Sequence, residues 1–548
     1  MARLQKHFRL VVAVLGGLMM SASFPRIGVA GLAWVAPGII LASGLGARPR
    51  TAFRLGCLAG FAQALMSLSW LLHIPVFKLA PIVGWIALSA FLALYAGAWV
   101  WLCWKIYPRR SVRTEEEWPL AGERLLEAHW GQRLGWSLAC AAIWVALEMI
   151  QARFLTGFPW NLLGSSQFRM LPVIQTASVA GIYGNSFLCV WFGTSCLLAG
   201  VAVLRRSSTP RRWLWEIAPS LVVSAGVIAW GFQTLLASTG GHRTVKVALI
   251  QPSIPQRFIW NPQEDAYRFR ELMQLSSAAM AQKPDLMIWP EAAVPGFVRW
   301  ETNIHDAVMR FAQTNRVWLI LGGDDAMPAG GFVDKYDVYN ASFLVSPRGE
   351  FVGRYAKQNL VIFGEYIPFA RWLPFLERWT GMGSFTRGTG PTVFEIPELG
   401  LKTSVVICFE DIFPHLVRDH VRTELDFLLN LTNNGWFGES SAQWQHAAGA
   451  VFRAVENGLP LVRCANNGLT CWVDPTGRMR EVYFPGMEDI YGRGIKMAEI
   501  PLGAGRATFY RRQGDVFGWC CVAVAVLLGA RSFWRGTAPG RQGWQSKG

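Results

Sequence analysis

The sequence predicts two structural parts in one chain, a multi-pass α-helical membrane domain and an α/β layered domain. Long apolar runs fill residues 1–240 and return in residues 513–548, whereas residues 241–512 are more polar. Of all 548 residues, 52% are hydrophobic and only 16% are charged, while an ordinary soluble protein has about a quarter charged residues. A large part of the chain is therefore expected to face something other than water.

The apolar runs are long enough to cross a bilayer, which takes about 20 mostly apolar residues in a helix. They lie near residues 9–25, 27–46, 52–72, 79–106, 133–151, 172–204, 213–236 and 515–532. The first run also resembles a signal peptide, but the next follows almost at once, which favours a retained helix. The sequence thus predicts about seven transmembrane helices in residues 1–240, then a final helix and tail in residues 513–548.

Basic residues are unevenly divided between the loops that join these runs. They concentrate near residues 48–54, 105–133, 205–212 and 531–547, which share one side of the membrane if all the runs span it. The opposite loops hold little beyond Arg26, Lys78, Arg153 and Arg169. The positive-inside rule then predicts that both termini are cytoplasmic and that the polar segment lies outside. Because the net charge of +16 comes largely from these loops, no nucleic-acid partner is expected.

The polar segment, residues 241–512, alternates strand-like and helix-like stretches, a pattern typical of an α/β layered domain. The strand-like stretches are 245–250, 286–289, 317–321, 339–345, 403–408, 427–431, 460–464 and 469–473. The helix-like stretches are 263–282, 302–314 and 441–457.

The ten cysteines do not form the pattern of a disulfide framework. Seven lie inside apolar runs, where they are expected to act as small hydrophobes: Cys57, Cys103, Cys140, Cys189, Cys196, Cys520 and Cys521. Cys464 and Cys471 flank a turn-forming Asn-Asn-Gly and could face each other across a hairpin. A disulfide between them is one possibility, which only the geometry decides.

Three places in the polar segment put a reactive side chain at the end of an apolar strand. Glu291 follows one strand, Lys357 follows a second and precedes Glu365, and Cys408 ends a third and precedes Glu410. Reaction sites gather at strand ends, because a rigid sheet holds the loops there. Each residue also has an ordinary explanation: a buried core cysteine, a glutamate that caps a turn, or a solvated lysine.

The sequence around these residues resembles the three catalytic blocks of the nitrilase, or carbon–nitrogen hydrolase, superfamily. The blocks are Trp289-Pro290-Glu291-Ala292-Ala293-Val294-Pro295, Lys357 with Phe363-Gly364-Glu365-Tyr366-Ile367-Pro368, and Val406-Ile407-Cys408-Phe409-Glu410. Further matching blocks are residues 156–161, 251–256, 432–438 and 464–468. The flanking membrane helices are similar to those of one branch, the apolipoprotein N-acyltransferases. The resemblance implies a nitrilase-like αββα sandwich for the layered domain.

The resemblance also implies roles for the strand-end residues. Cys408 would be the nucleophile, with Glu291 as its general base, and Lys357 would stabilise the oxyanion. Glu365, Phe409 and Glu410 would support them, and no metal or other cofactor is needed. Phe409 departs from the family, which commonly has tyrosine after the nucleophile, and it offers no hydroxyl group at that position.

The implied reaction moves an acyl chain from a phospholipid, through a thioester on Cys408, to the α-amine of a diacylglyceryl apolipoprotein, giving a triacylated lipoprotein. Such an enzyme would be a monomer in the bacterial inner membrane, with its catalytic domain on the periplasmic face. Each buried CH₂ is worth about 0.8 kcal/mol, so the site should open at the bilayer surface. The expected lipid contacts are Trp260, Asn434, Trp436 and Phe437, although ordinary packing is an alternative for the aromatic residues.

Two other functions compete with this one. A membrane-tethered amidase of the same superfamily would use the same three residues with water as acceptor, but a small amide needs no set of membrane helices. A transporter with an accessory domain would need charged residues along an ion path, and these are scarce, with Glu148 and Glu216 near the ends of predicted spans.

Overall fold

The computed structural model describes residues 2–76, 79–107, 117–205, 211–237, 243–329, 336–367, 385–486, 488–503 and 505–537. Its helices in chain order are α1 Ala2–Ala22, α2 Ala36–Ser43, α3 Pro49–Ser67, α4 Ala80–Lys105, α5 Trp118–Glu127, α6 Trp130–Gln151, α7 Leu171–Ile174, α8 Ala177–Leu204, α9 Arg212–Leu236, α10 Gln256–Ile259, α11 Asp265–Ala279, α12 Thr302–Asn315, α13 Pro414–His420, α14 Ala442–Asn457, α15 Phe509–Gln513 and α16 Val516–Thr537.

Its strands are β1 Thr244–Gln251, β2 Leu286–Ile288, β3 Val294–Phe297, β4 Trp318–Pro328, β5 Tyr336–Val345, β6 Phe351–Ala356, β7 Val393–Ile396, β8 Leu401–Ile407, β9 Phe427–Thr432, β10 Leu461–Ala465, β11 Cys471–Val473, β12 Met479–Arg480 and β13 Gly494–Pro501. All the strand-like stretches of the sequence contain strands. The short strands β3, β7 and β12 carry too few residues for a recognisable alternation.

Within the described ranges, four helices are long and apolar enough to cross a membrane, namely α4, α6, α8 and α9. The chain is a membrane protein on this evidence of length and composition. Helices α1, α3 and α16 also coincide with predicted spans. The full span predicted over residues 27–46 differs: it forms a 3-10 helix, Ala30–Trp34, and the eight-residue α2. Eight residues rise only about 12 Å, far less than the hydrocarbon core of about 30 Å.

Helix α2 packs closely against α8. A Cβ atom added at Gly38 would lie 2.1 Å from the carbonyl oxygen of Gly193, so the two backbones touch at this point. Small residues allow membrane helices to approach in this way. The contact fixes α2 against α8.

The two acidic residues near the predicted span ends have protein partners. Glu216 pairs with Arg133 at 2.5 Å between Oε1 and Nη2, and both side chains are buried. Glu148 accepts hydrogen bonds from the indole of Trp144 at 2.9 Å and from the backbone N–H of Leu163 at 2.8 Å. These contacts hold helices and loops together, so the two carboxylates offer no support for a transport path.

The layered domain is an αββα sandwich. One sheet has the order β13-β1-β2-β4-β5-β6, with β3 paired to β4, and the other has the order β12-β11-β10-β9-β8-β7. Apolar residues of both sheets meet in a shared core, which includes Val247, Ile288, Val405 and Leu429. Helices α11 and α12 pack on the outer face of the first sheet. Helices α13 and α14 cover the second, and α14 also packs against residues of α6 and α8.

The disulfide considered between Cys464 and Cys471 does not form, and all ten cysteines are free. Strands β10 and β11 do pair as a hairpin, but the cross-strand neighbour of Cys471 is Arg463. Successive side chains of a strand point to opposite faces, so Cys464 points away from Cys471. Its sulfur lies 3.4 Å from the carbonyl oxygen of Ile288 in the core.

Gly38→Ala should destabilise the fold, because its methyl group would overlap the backbone of α8. Overpacking of this kind costs about 1–3 kcal/mol, which should lower the thermal unfolding midpoint in detergent. Gly226→Ala in α9 is the matched control, since nothing lies within 4 Å of its added Cβ. Equal midpoints for the two variants would contradict the packing of α2 on α8.

Candidate active site

The predicted strand-end residues meet at one end of the sandwich. Glu291 lies after β2, Lys357 directly follows β6, and Cys408 directly follows β8. Glu291, Lys357 and Cys408 are 6%, 1% and 7% exposed. The two sheets thus bring a carboxylate, an ammonium group and a thiol from distant positions in the chain into one buried site.

The ammonium group of Lys357 lies between two carboxylates. Its Nζ is 2.8 Å from Oε1 of Glu365 and 3.5 Å from Oε1 of Glu291. Burial alone would lower the pKa of Lys357, but Glu365 and Glu291 more than offset this effect and raise it. The lysine therefore carries a permanent positive charge inside the site.

Backbone and amide donors fix the two carboxylates. The side-chain amide of Asn340 donates to Glu291 at 2.8 Å and to Glu365 at 3.1 Å. The other oxygen of Glu291 accepts from the backbone N–H of Asn433 at 2.7 Å. The other oxygen of Glu365 accepts from the backbone N–H of Val361 at 2.9 Å. Both carboxylates are therefore held in place before any substrate binds.

Cys408 lies on a sharp strand-to-turn junction. Its φ is 55°, in the left-handed region that side chains other than glycine rarely occupy, and a 3-10 turn, Cys408–Ile412, begins at this residue. The amide of Asn430 donates to the Cys408 carbonyl oxygen at 2.8 Å. Strained positions of this kind are common at reactive groups.

Burial raises the pKa of the Cys408 thiol, and the negative charge of Glu291 raises it further. The charge of Lys357 opposes this shift but does not cancel it. The thiol of the resting site is therefore protonated at neutral pH, and it needs a base that removes its proton as it attacks.

Glu410 is fully buried in the Cys408 turn and has hydrogen-bond partners on both of its oxygens. One oxygen accepts from the backbone N–H of Ile407 at 2.7 Å and from the Tyr355 hydroxyl at 2.9 Å. The other accepts from the backbone N–H groups of Gln358 at 2.7 Å and Asn359 at 2.9 Å. Burial raises the pKa of Glu410 to about 7. This carboxyl ties the Cys408 turn to the segment that follows Lys357.

Phe409 contributes its ring to the site. The Lys357 ammonium lies 5.4 Å from the centroid of this ring, within the range of a cation–π contact. A phenylalanine provides this contact without a hydroxyl group.

The four residues predicted to contact lipid lie in different surroundings. Trp260 is 54% exposed, and Trp436 is half-buried. Phe437 packs edge-on against Trp70, with ring centroids 4.8 Å apart. Asn434 is fully buried, and its Oδ1 accepts from the Thr432 hydroxyl at 3.2 Å. Asn434 therefore lies behind the site surface, whereas Trp260 is accessible.

Three polar residues near the site were not among those to which the sequence analysis assigned a role. Asn340 and Asn433 hold Glu291, as described above. Asp324 is the cross-strand neighbour of Asn340, and burial, together with Glu291 and Glu365, raises its pKa to about 7. Period-2 alternation along β4 and β5 could have placed Asp324 and Asn340 on a common face, but it does not identify which face meets Glu291.

Alkylation of Cys408 should report its protonated state. At pH 7 iodoacetamide should modify Cys408 more slowly than free cysteine, and the rate should still be rising at pH 9. The position is followed by mass spectrometry of the Cys408 peptide. Lys357→Met should slow the reaction further, because it removes the positive charge that opposes the upward shift. A rate that levels off below pH 7 would show a resting thiolate.

Comparisons with known proteins match both parts of the chain. Residues 246–503 match the carbon–nitrogen hydrolase family model, and residues 16–195 match the model of the apolipoprotein N-acyltransferase N-terminal domain. An apolipoprotein N-acyltransferase of Geobacter metallireducens is 37% identical over 536 residues, which cover 96% of this chain and 95% of the relative. One from Rickettsia typhi is 32% identical over 346 residues, which cover 63% of this chain and 67% of the relative.

Among solved structures, an amidase from Nesterenkonia sp. matches 48% of this chain and 93% of its own, at 17% identity and a TM-score of 0.35. The Geobacter relative spans nearly the whole chain, and both family models fall on the parts that the structure separates, the membrane helices and the sandwich. The chain therefore belongs to the apolipoprotein N-acyltransferase family.

Proposed function

We propose a ping-pong mechanism for the lipoprotein N-acylation that family membership assigns to this chain. An acyl chain passes from a phospholipid to Cys408 as a thioester, and then to the α-amine of a diacylglyceryl-cysteine apolipoprotein. The observation that carries this proposal is the charged Lys357, buried between Glu291 and Glu365 beside a protonated thiol. It combines a base, a nucleophile and a fixed cation in one buried site.

In the first half-reaction Glu291 removes the thiol proton of Cys408, and the sulfur attacks the ester carbonyl carbon. Lys357 stabilises the oxyanion that forms on the carbonyl oxygen. The tetrahedral intermediate collapses with cleavage of the ester C–O bond. The lysophospholipid oxygen takes the proton from Glu291 as it leaves, so Cys408 is acylated and Glu291 is again a base.

In the second half-reaction the neutral α-amine of the apolipoprotein attacks the thioester carbon. Lys357 again faces the oxyanion, and Glu291 accepts a proton from the nitrogen. Collapse forms the amide and breaks the C–S bond, and Glu291 returns the proton to Cys408. Glu365 and Glu410 keep Lys357 and the Cys408 turn in position through both halves, and neither half needs a metal or another cofactor.

The proposed setting is the outer surface of the bacterial inner membrane, where the enzyme acts as a monomer with both termini in the cytoplasm. The basic residues of the alternate loops support this orientation. Trp260, Trp436 and Phe437 are proposed to line the path by which acyl chains reach Cys408. Because each CH₂ moved from the bilayer into water costs about 0.8 kcal/mol, the reaction keeps both substrates in contact with the membrane.

Cys408→Ser should abolish the acyl-enzyme and the product together. The purified variant in detergent micelles would receive a phospholipid with a fluorescent acyl chain and a diacylglyceryl peptide. Wild-type enzyme should carry the label on Cys408 when the peptide is absent and transfer it when the peptide is added. Acyl transfer by the Cys408→Ser variant would disprove the mechanism. Rapid hydrolysis of small amides, with lipids ignored, would instead support the amidase function.

Lys357→Met should slow both half-reactions, since each forms an oxyanion. The loss of one preorganised donor costs about 3 kcal/mol, or roughly 100-fold in rate. Lys402→Met is the matched control, because Lys402 is exposed and paired with Glu395. A Lys357→Met rate equal to that of the control would exclude Lys357 as the oxyanion donor.

Asn340→Ala should reduce the rate of Cys408 acylation, because Glu291 and Glu365 lose their shared donor. A hydrogen bond to a charged group contributes about 1.5–3 kcal/mol, so a loss of roughly 10- to 100-fold is expected. Asn315→Ala, which removes a hydrogen bond to the Phe311 carbonyl at the end of α12, should leave the rate unchanged. An active Asn340→Ala enzyme would show that the carboxylates need no shared donor.

A further inference from the structure

One glutamine side chain joins the sandwich to several segments of the membrane part. Gln445 lies near the start of α14 and is 4% exposed. Its Oε1 accepts from the indole N–H of Trp70 at 3.1 Å and of Trp160 at 2.8 Å, and from the amide of Asn161 at 3.1 Å. All three donors belong to segments that connect membrane helices.

The side-chain nitrogen of Gln445 donates hydrogen bonds to two further segments. Its Nε2 donates to the carbonyl oxygen of Pro25, which follows α1, at 2.5 Å. It also donates to the carbonyl oxygen of Ser67, the last residue of α3, at 3.1 Å. Gln445 therefore holds the ends of α1 and α3 and the loop after α6 at one point on the catalytic domain.

The next residue, His446, lies between Trp160 and the turn that begins at Cys408. The ring of Trp160 lies 5.5 Å from the ring of His446, which is fully buried. His446 Nε2 donates to Oδ1 of Asp411 at 2.7 Å, and Nδ1 lies 3.0 Å from Oδ1 of Asn434. Asp411 belongs to the 3-10 turn that begins at Cys408.

From these contacts we infer that Gln445 is a positioning residue that aligns the membrane segments with the Cys408 turn. The inference rests on the proposed role of Cys408. A phospholipid held against the membrane part meets the thiol only if both parts keep a fixed relation, and Gln445 with His446 provides a continuous path of contacts between them. A small ester that diffuses to Cys408 from water does not depend on this alignment.

A second glutamine, Gln175, is a control for contacts that join the two parts of the chain away from Cys408. Gln175, 2% exposed, donates from Nε2 to the carbonyl oxygen of Thr476 at 2.8 Å. It therefore also crosses from the membrane part to the sandwich. Thr476 lies in the turn between β11 and β12, at one edge of the second sheet. Strand β8, which leads into the Cys408 turn, lies near the opposite edge of that sheet.

The test compares two acyl donors in detergent micelles, a phospholipid with a fluorescent acyl chain and p-nitrophenyl acetate. In Gln445→Met, which keeps the length of the side chain without its hydrogen bonds, acylation of Cys408 by the phospholipid should fall at least tenfold. Acylation by p-nitrophenyl acetate should stay within twofold of wild type, which also shows that Glu291, Lys357 and Cys408 keep their arrangement. Gln175→Met should keep both rates within twofold.

An equal loss with both donors, or no loss with either, would overturn the inference. If Gln445→Met does not fold, Gln445→Glu retains the acceptor for Trp70, Trp160 and Asn161 but loses the donor to Pro25 and Ser67, and the same selective loss is required of it. Cys408→Ser separates the two proposals. If it still becomes acylated, the proposed mechanism fails, whereas a selective loss in the Gln445 variant alone supports the positioning role.

Discussion

A single buried cation organises the catalytic end of the sandwich. An ammonium that is 1% exposed loses most of its hydration, a loss that only nearby opposite charges can offset. Lys357 has two of them, Glu291 and Glu365. Because the two carboxylates need donors in turn, the positions of Asn340 and of the Asn433 backbone follow from the same requirement.

The strained turn at Cys408 depends on a second set of buried bonds. A left-handed backbone at a residue other than glycine costs roughly 1 kcal/mol. Glu410 offsets this cost with four hydrogen bonds, and Asn430 holds the Cys408 carbonyl. Glu410 accepts hydrogen bonds both from the residue before Cys408 and from the residues after Lys357. This one carboxyl therefore holds the thiol and the ammonium group at a fixed distance from each other.

Helix α14 connects this chemistry with the membrane. One of its faces packs on the second sheet, and another packs on residues of α6 and α8. Glu456, near the end of the helix, accepts from the backbone N–H of Ile182 at 2.8 Å, and Gln445 lies near its start. The sandwich therefore rests on the membrane helices through a helix that belongs to its own core, which suits an enzyme whose substrates stay in the bilayer.

Local patterns in the sequence determined most of the helices and strands and the reactive residues of the site. Apolar runs predicted most of the long helices, short β-rich stretches predicted the central strands, and strand ends followed by Glu291, Lys357 and Cys408 predicted the site. These features depend on residues close together in the chain. The same patterns were wrong about a full-length helix over residues 27–46, which form a 3-10 helix and the short α2, and the possible disulfide of Cys464 with Cys471 did not form.

Only the tertiary structure decided which polar groups meet. Asn433 lies 142 positions from Glu291, and Gln445 lies 285 positions from Trp160, so no local period relates them. A hydrogen bond needs its two atoms within about 3 Å, and only the packing of two sheets and a set of membrane helices sets such distances. The sequence therefore determined the reactive groups, and the fold decided which groups hold them in place.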